Sequence, residues 1–490
     1  MKSLILALDI GTSSVRAALY DLQGSVLPAT MVKNERTLTA TDDGGAEIDA
    51  AEAFAQIEKA VDDVLEKSAK VKGEISHVAA SSFWHSLVGV DKNGKPATKV
   101  FGWADTRSAK YVAEWRAKFD ESAIHNRTGA RFHSNFWTAK LLWLRRDYAK
   151  VFERTDKWLS FSDFAALKLF GQTQTSVSMA SATGIFDVRA NDWDAELIKF
   201  LKINRANLPG IVAEDSQTFR LNSKYQKRWA RLKNAEWFAA IGDGAANNIG
   251  AGCVAKSKAA LMIGTSGALR VAFAGDVPAK IPSGLWCYRI DRQRVITGGA
   301  LSDGGGLYRW LKDTLKLNGT DDEIETEIGK RVPDSHNLTF LPFLAGERGT
   351  GYHETAHGAV LGLHSSTDSV DIAQAALESV AYRFAEIYDQ LNDICQVREI
   401  IASGGALRES PVWTQIIADV LAHNLSLPDV REASSRGAVL LALEVIGEIA
   451  SIEKVETPKG REFKFNGKRN AIYKKARQRH AKFYELLISQ

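Results

Sequence analysis

The sequence has few cysteines, and they form no recognisable motif. Cys253, Cys287 and Cys395 are the three cysteines among 490 residues, and no two of them stand in a CxxC pair. An odd number of widely spaced cysteines argues against a disulfide framework and against a cysteine-based zinc site, and it is typical of a reducing compartment. We therefore predict a cytoplasmic protein.

Long apolar runs and a strong charge of either sign are also absent. No stretch approaches the roughly 20 apolar residues that cross a bilayer, and Asp9 interrupts the apolar N-terminal stretch too early for a signal-peptide core. The 63 Lys and Arg nearly balance the 59 Asp and Glu, leaving a net charge of +4. This mild excess predicts neither a nucleic-acid partner nor a membrane partner.

Apolar strands alternate with amphipathic helices along the chain, which predicts an α/β fold. The length of 490 residues is enough for two or three domains. Near the C-terminus, Tyr473, Ala476 and His480 recur at helical spacing within a basic stretch. This pattern predicts an amphipathic helix with a solvated basic face in preference to an anion-binding tail.

One short pattern occurs twice. LILALDIGTSSVRAALYD at 4–21 and LMIGTSGALRVAFAGD at 261–276 each run from an apolar strand into Gly-Thr-Ser, then reach an arginine and another apolar strand. A turn of this kind presents backbone N–H groups and hydroxyls, which can hold a phosphate oxygen. One copy is a common hairpin composition. Two copies predict two related domains, 1–244 and 245–490, that face each other across the phosphates of a nucleotide.

Asp9 ends the first predicted strand, directly before the first turn. The chain lacks both GxxxxGK[ST] and a GxGxxG after a strand, so it contains neither the P-loop nor the dinucleotide fingerprint. Aspartate is unfavourable in an apolar strand. A carboxylate at this place can hold Mg²⁺ directly or through water, while a structural Asx turn is the alternative.

The two turns resemble the phosphate segments of the actin-like ATPase superfamily, and further segments resemble the FGGY carbohydrate kinases within it. These further segments follow the family order and spread over most of the chain. They are SFWHSLVGVD (82–91), WADTRS (103–108), SMASATGIFDV (178–188), GDGAANNIGAG (242–252), LPFLAGERG (341–349), ASGGALRESPVWTQIIADVL (402–421) and EASSRGAVLLA (432–442). The resemblance implies two ribonuclease H-like domains flanking a central cleft. It also implies ATP with Mg²⁺ and a small sugar or sugar acid as substrate, and it leaves a homodimer open.

Asp243 is the candidate catalytic base. It lies between an apolar approach and a Gly/Ala-rich helix start, at the predicted junction of the two domains, where clefts commonly host sites. In the resembling kinases the aspartate at this place accepts the proton of the substrate hydroxyl. A helix N-cap is the structural alternative. Gly244 stands where many relatives carry an Asn or Gln that contacts the sugar, so part of that contact must come from elsewhere.

The resemblance also implies the other site residues. For the sugar these are Trp84 and His85, where relatives carry Met-His, and Asp105; the structural alternatives are a core Trp with a satisfied His, and a salt bridge from Asp105 to Arg107. For the nucleotide they are Thr12, Ser13 and Arg16 on one side, and Gly264, Thr265 and Ser266 on the other, with Gly404 and Gly405 against the adenosine and Ala406 beside them. Gly305 and Gly306 are further candidates, because a glycine-rich helix start lets the backbone approach phosphate or ribose.

The substrate itself is less sharply predicted. SMASATGIFDV, IGTSGALRV and LPFLAGERG look similar to the gluconate-kinase branch of the family, as does the stretch 125–146, although that stretch lacks the prolines usual around its histidine. The carboxylate of a sugar acid requires a charged or doubly donating partner, and Arg131 and His133 are the candidates. A neutral pentulose such as xylulose is the alternative. An actin- or chaperone-like ATPase is the alternative from another functional class.

Overall fold

The computed structural model describes residues 3–36, 38–315, 317, 319–430 and 432–489. The strands are β1 Ser3–Ile10, β2 Ser14–Tyr20, β3 Val32–Glu35, β4 Thr39–Ala40, β5 Ala46–Ile48, β6 Glu74–Ser82, β7 Val88–Val90, β8 Val100–Phe101, β9 Lys157–Leu159, β10 Gln174–Thr175, β11 Phe186–Asp187, β12 Asp192–Trp193, β13 Gly210–Ile211, β14 Thr218–Phe219, β15 Glu236–Phe238, β16 Ile241–Gly242, β17 Lys258–Ile263, β18 Gly267–Ala274, β19 Trp286–Arg289, β20 Arg294–Leu301, β21 Thr339–Leu341, β22 Ala359–Leu361, β23 Glu399–Ser403, β24 Leu425–Pro428 and β25 Gly460–Phe463.

The helices are α1 Ala50–Lys67, α2 Val112–Arg116, α3 Glu121–Thr128, α4 Trp137–Asp147, α5 Ala149–Arg154, α6 Phe161–Phe170, α7 Val177–Ser181, α8 Ala195–Leu201, α9 Ser223–Arg228, α10 Asp243–Gly250, α11 Gly305–Leu315, α12 Asp321–Lys330, α13 Ser369–Cys395, α14 Gly405–Glu409, α15 Pro411–Leu421, α16 Ala433–Val445 and α17 Gly467–Leu487. Across the described ranges, none of these helices has the length and hydropathy of a bilayer-spanning segment.

Two seven-stranded sheets carry the predicted turns. The first has the order β14-β15-β6-β1-β2-β3, with β16 also paired to β6, and the second has the order β19-β20-β18-β17-β23-β24-β25. In each sheet an antiparallel hairpin, β1–β2 or β17–β18, pairs along its first strand in parallel with a later strand, β6 or β23. The repeated sequence pattern therefore corresponds to a repeated strand arrangement.

Local sequence explains how these sheets are covered. Helix α1 buries Phe54, Ile57, Val61 and Val64, which recur at the 3.6-residue spacing of one helix face. Its N-cap is Asp49, whose carboxylate accepts hydrogen bonds from two first-turn amides. Strands β1 and β17 are buried along almost their whole length because helices cover both faces of parallel strands.

Helix α16 connects the two halves of the chain. It packs against α10 and against strands β1 and β6 of the first sheet. Glycines allow the close helix crossing, because a Cβ at Gly437 would overlap the Ala246 carbonyl and one at Gly250 would overlap the Ala433 carbonyl. The predicted domain boundary between residues 244 and 245 falls inside α10. Helix α16, from the second half of the chain, covers the first sheet. The division into 1–244 and 245–490 therefore stays a prediction.

Candidate active site

The first turn lies at the end of the β1–β2 hairpin. The backbone N–H of Gly11 donates to the Ser14 carbonyl at 2.9 Å, which closes the turn around Thr12 and Ser13. Ser13 is exposed and Thr12 is half-buried. Arg36 stabilises the turn through two hydrogen bonds. Its backbone N–H donates to the Ser13 carbonyl at 2.8 Å, and its guanidinium donates to the Gly11 carbonyl. The hydroxyls of the turn remain on the solvent side.

The second turn, Gly264 to Ser266, closes the β17–β18 hairpin, and the predicted glycine-rich segments converge on it. Gly305 N–H donates to the Gly264 carbonyl at 2.8 Å, and Gly306 N–H donates to the Thr265 carbonyl at 3.0 Å. These two amides therefore brace the turn, although direct contact with a nucleotide was predicted for them.

The Gly404–Ala406 segment lies against the same turn. Gly404 has φ 103°, and a Cβ there would overlap the carbonyl of Ile263, the last residue of β17. A Cβ at Gly305 would lie 2.9 Å from the Cβ of Ala406. Only glycine permits this approach of two backbones, so the second turn, the start of α11 and the start of α14 form one backbone-lined corner.

Asp9 lies at the carboxyl end of β1, next to the first turn. One carboxylate oxygen accepts from the Ser81 hydroxyl at 2.7 Å, and the other accepts from Arg16 at 3.1 Å. Arg16 also lies 3.6 Å from Glu432, at the start of α16. The guanidinium predicted to contact the nucleotide is thus shared by two carboxylates from opposite halves of the chain.

Strand pairing brings Asp243 to the same edge of the first sheet. Asp9 stands opposite Ser81 on β6, and Gly242 of β16 stands opposite Ser82. The carboxyl ends of parallel strands meet at one edge, so Asp243 follows β16 at the place where β1 ends. It is the first residue of α10, and the N-cap is Gly242. The alternative in which Asp243 caps the helix is therefore wrong.

The environment of Asp243 raises the pKa of its carboxyl group into a useful range. Burial raises the pKa of Asp243 to about 6, while the positive charge of Arg270 lowers it and the negative charge of Asp9 raises it. One carboxylate oxygen accepts from the Gly244 N–H at 2.8 Å. A carboxylate with a pKa near neutrality can accept a proton in one step and release it in another.

A cavity of about 100 Å³ lies in front of Asp243. Its lining residues are Trp84, His85, Trp103, Asp243, Gly244, Met262, Ser266, Gly267, Ala268, Arg270, Trp286, Tyr288, Ala300 and Arg348. This volume is below the roughly 300–1,000 Å³ of pockets for drug-sized ligands, so it suits a small molecule. Ser266 belongs to the second turn, and Asp9 beside the first turn acts on Asp243. Asp243 therefore shares the cavity with the second turn and is within electrostatic reach of Asp9 beside the first turn.

Trp84 explains the glycine that follows Asp243. A Cβ at Gly244 would lie 2.5 Å from the indole ring of Trp84, and one at Gly242 would overlap that ring. The indole N–H donates to the Ser178 carbonyl at 3.1 Å, and the ring packs edge-on against Trp286 and Tyr288. The ring thus fills the space that a side chain at position 244 would occupy.

His85 presents a neutral imidazole to the cavity. Its Nδ1 lies 2.7 Å from the Ala182 carbonyl and donates to it, since a carbonyl oxygen can only accept. Burial holds the pKa of His85 well below its usual value. With the proton fixed on Nδ1, Nε2 is left as a hydrogen-bond acceptor for a hydroxyl.

Asp105 and Arg131 lie outside the cavity lining. Asp105 is 1% exposed and accepts from Arg107 at 2.5 Å and from the Ala46 N–H at 3.2 Å. The guanidinium of Arg131 donates to Glu121 at 2.7 Å and to a backbone carbonyl. The structure thus favours the structural alternative for Asp105, and it gives Arg131 a carboxylate partner within the protein.

His133 is buried behind the cavity wall. Its Nδ1 accepts from the Asn135 N–H at 3.1 Å and lies 3.8 Å from Glu354. Burial lowers the pKa of His133 to about 3, so the ring is neutral at physiological pH. Like Asp105 and Arg131, it does not reach the cavity, so direct contact with a substrate stays a prediction for these three residues.

The sequence-based predictions did not include two arginines of the site, Arg270 and Arg348, or three of its aromatic residues, Trp103, Trp286 and Tyr288. Arg270 and Arg348 lie within the segments IGTSGALRV and LPFLAGERG, and both line the cavity. Trp286 and Tyr288 reach it from β19, stacked on each other with ring centroids 4.5 Å apart. Arg270 lies on β18, three residues after Gly267 and close to the second turn. This position could have indicated that Arg270 belongs to the site.

A second and larger opening lies elsewhere. It is an open cleft of about 690 Å³ beside strands β23, β24 and β25, lined by residues such as Arg398, His423 and Lys459. None of the predicted site residues is among those that line it. Size alone therefore does not identify the site, whereas the convergence of Asp243, the second turn and the aromatic residues does.

Comparison with known proteins gives consistent matches over the chain. It is 28% identical over 468 residues to a gluconokinase from Bacillus subtilis (strain 168), covering 93% of this chain and 90% of that protein. It is 24% identical to a xylulose kinase from Staphylococcus xylosus, covering 89% and 90%. The structure of gluconate kinase from Lactobacillus acidophilus superposes with a TM-score of 0.90 and 25% identity, covering 99% and 98%.

Family models match both halves. The N-terminal domain of the FGGY family of carbohydrate kinases matches residues 4–250, and the C-terminal domain of the same family matches residues 259–444. The predicted fold, two α/β domains of the actin-like ATPase type, is confirmed by these matches and by the solved relative. The chain belongs to the FGGY family of carbohydrate kinases.

Proposed function

We propose that the protein transfers the γ-phosphoryl group of ATP to a hydroxyl of a small sugar acid, with gluconate as substrate and 6-phosphogluconate as product. The observation that carries the proposal is that Asp243 and Ser266 line one small cavity. This arrangement supports a proton acceptor and a phosphate-binding turn acting on the same substrate. The gluconokinase and gluconate kinase among the relatives favour gluconate.

In the proposed reaction Asp243 accepts the proton of the attacking hydroxyl. Its pKa of about 6 leaves it ionised at neutral pH while keeping it basic enough to take a proton. The indole of Trp84 offers a flat apolar surface to the C–H groups of the substrate, and Nε2 of His85 accepts from a hydroxyl. The enclosing aromatic residues exclude water, which limits wasteful hydrolysis of ATP.

For the nucleotide we propose the two turns and the corner beside the second turn. Thr12 and Ser13 bind from one side and Thr265 and Ser266 from the other, with the adenosine against the Gly404–Ala406 segment. The backbone amides of such turns supply partial positive charge to phosphate oxygens.

The residues around Asp9 fit a magnesium ion. One oxygen of Asp9 accepts from Arg16 and the other from Ser81, which leaves further lone pairs on both. Its like charge raises the pKa of Asp243, so a cation beside both would relieve the repulsion. Mg²⁺ is typically held by one or two carboxylates together with substrate phosphates. When bound, it neutralises charge on the phosphates, and Asp9 would hold it directly or through water.

Xylulose is the second candidate substrate, favoured by the xylulose kinase among the relatives. The actin- or chaperone-like ATPase loses its support, because both matching family models describe carbohydrate kinases. The cytoplasmic location, the homodimer and the domain ranges 1–244 and 245–490 stay proposals. Light scattering on the purified protein measures the oligomeric state.

A substrate panel tests the proposal. Purified protein with ATP and Mg²⁺ is offered gluconate, other sugar acids, xylulose, glycerol and hexoses, and ADP release is followed together with the phosphorylated product. We expect turnover of gluconate with the highest kcat/KM. Turnover of xylulose but not gluconate would move the substrate to the second candidate, and no turnover of any acceptor would contradict the kinase activity.

A further inference from the structure

We propose that Arg270 and Arg348 recognise the carboxylate of the substrate and so make this cavity selective for polyhydroxy acids over neutral sugars. The inference deepens the proposed function and rests on it. It replaces Arg131 and His133, the carboxylate partners predicted from the sequence, by two residues that line the cavity.

The first step is the charge balance of the cavity. Its lining contains two guanidinium groups, Arg270 and Arg348, against one carboxylate, Asp243, and His85 is neutral. Among the described residues, no carboxylate lies within 4.0 Å of either guanidinium, whereas Arg107 has two such partners and Arg131 has one. A charge removed from water without a partner is unfavourable. The charge of Asp243 acts favourably on both guanidinium groups, so an anionic group on the substrate would balance the remaining positive charge.

The second step is the way in which Arg348 is held. Its guanidinium carbon lies 4.4 Å from the centre of the Trp103 ring. With the Asn135 amide oriented so that its nitrogen donates to the Trp103 carbonyl at 2.7 Å, its oxygen accepts from Arg348 Nε at 2.9 Å. These contacts fix the guanidinium plane and use Nε, which leaves the two terminal nitrogens for a bidentate carboxylate.

The third step is the position of Arg270. It is 6% exposed, and one terminal nitrogen donates to the Gly244 carbonyl at 3.3 Å and to Asn248 at 3.5 Å. These neutral acceptors on α10 orient the side chain without neutralising its charge. Gly298 lies opposite Arg270 on β20, and a Cβ there would overlap the Leu269 carbonyl and lie 3.1 Å from the Arg270 Cγ, so glycine permits the close approach of the two strands here.

Two acceptors that differ in charge alone test the inference. Gluconate and gluconamide have the same carbon chain and hydroxyls, but the amide is neutral, so it can accept a hydrogen bond from a guanidinium but cannot form an ion pair with it. We would measure kcat/KM for both at pH 8, where Asp243 is ionised, in the wild type, Arg270→Met and Arg348→Met. Arg220→Gln serves as the handling control, because Arg220 is exposed, is not among the residues that line the cavity, and donates to Glu236 and to the Asn234 carbonyl.

We expect the wild type to prefer gluconate by at least about tenfold, since a hydrogen-bonded charge pair contributes about one factor of ten or more. Arg270→Met and Arg348→Met should lose this preference, because the KM for gluconate should rise by a larger factor than the KM for gluconamide. Arg→Lys at either position should restore part of it, because the charge returns without the planar fork. A selective loss in either variant supports the inference.

Equal decreases in kcat/KM for gluconate and for gluconamide would overturn the inference. The arginines would then act on the phosphoryl group or on Asp243. The inference would also be overturned if Arg131→Met, and neither of the other two variants, lost the preference for gluconate over gluconamide. If a variant fails to fold, calorimetric binding of gluconate and gluconamide to the wild type without nucleotide gives the same test, and equal affinities contradict the inference. Turnover of xylulose without any preference for acids would defeat the inference but leave the kinase activity intact, whereas no turnover at all defeats the proposed function.

Discussion

At the scale of single residues, the chemistry depends on how Asp243 is surrounded. Burial and the charge of Asp9 raise the pKa of its carboxylate, while the charge of Arg270 and hydrogen bonds from the backbone lower it. Asp9 in turn is paired with Arg16 and Ser81. Together these influences leave Asp243 with a pKa of about 6. Both the substitution of Asp243 and the pH dependence of the reaction can therefore test its role as a base.

Replacing Asp243 by Asn removes the proton acceptor and preserves the shape of the side chain. We expect turnover to fall by about 10² or more, the usual effect of losing a general base, while binding of sugar and nucleotide persists. Rapid-quench kinetics and calorimetric binding measure the two effects. Asp322→Asn, an exposed aspartate in the first turn of α12, is the control. Near-normal turnover of Asp243→Asn would reject the assignment.

The pH profile reports the same carboxylate. Asp243 acts as a base only when it is deprotonated, so kcat/KM should fall as the pH decreases through about 6. The charge of Arg270 lowers the pKa of Asp243, so Arg270→Met should move this acid limb to higher pH. Initial rates between pH 5 and 9 measure the shift. An acid limb that stays in place, or moves to lower pH, would contradict the electrostatic coupling.

At the scale of elements, the corner beside the second turn depends on glycine at position 404. Gly404 combines φ 103° with a Cβ position that overlaps the Ile263 carbonyl. Gly404→Ala should therefore displace α14 from β17, raise the KM for ATP and destabilise the fold by about 1–3 kcal/mol. Gly447→Ala is the matched control, since Gly447 has φ 79° but nothing within 4 Å of its Cβ position. Equal effects of both variants on the KM for ATP would contradict this role.

Several elements were predictable because their signals are local. The two Gly-Thr-Ser turns do close hairpins, and Ser410 caps α15 with Pro411 at its first position. Helix α17 buries Tyr473, Ala476 and His480 as the spacing indicates. Each of these features is set by residues within one or two turns of chain, so composition and periodicity are sufficient to read them.

The composition of the cavity was not predictable, because it depends on contacts between distant segments. Trp286 and Tyr288 reach the site through the order β19-β20-β18, which no local pattern specifies. Asp105 is turned away from the cavity by Arg107, which also pairs with Glu47 of the distant β5. An arginine that faces a cavity looks the same in sequence as one on the surface. Arg270 was therefore seen as part of the repeated pattern but was not predicted to line the site.

At the scale of the whole molecule, the two turns are carried by different sheets. The first turn belongs to the sheet built around β1 and the second to the sheet built around β17. Contacts that bridge the halves include the pair of Arg16 and Glu432, 3.6 Å apart and partly exposed. A ligand held by both sheets would favour a closed arrangement over an open one, since it contacts both only when they approach.

We therefore expect the molecule to become more compact when sugar and nucleotide bind. Small-angle X-ray scattering of the free protein, and of the protein with gluconate and a non-hydrolysable ATP analogue, measures the radius of gyration. Arg270→Met combined with Arg348→Met, at the same gluconate concentration, should close less because it binds the acid less tightly. Identical scattering curves with and without ligands would contradict closure.

The most direct test of the account is a crystal structure of the protein with gluconate and a non-hydrolysable ATP analogue. The account predicts one nucleotide whose phosphates lie between Thr12–Ser13 and Gly264–Ser266. It also predicts an acceptor hydroxyl within hydrogen-bond distance of the Asp243 carboxylate. A nucleotide in the open cleft beside β23 to β25, or a substrate hydroxyl out of reach of Asp243, would contradict it.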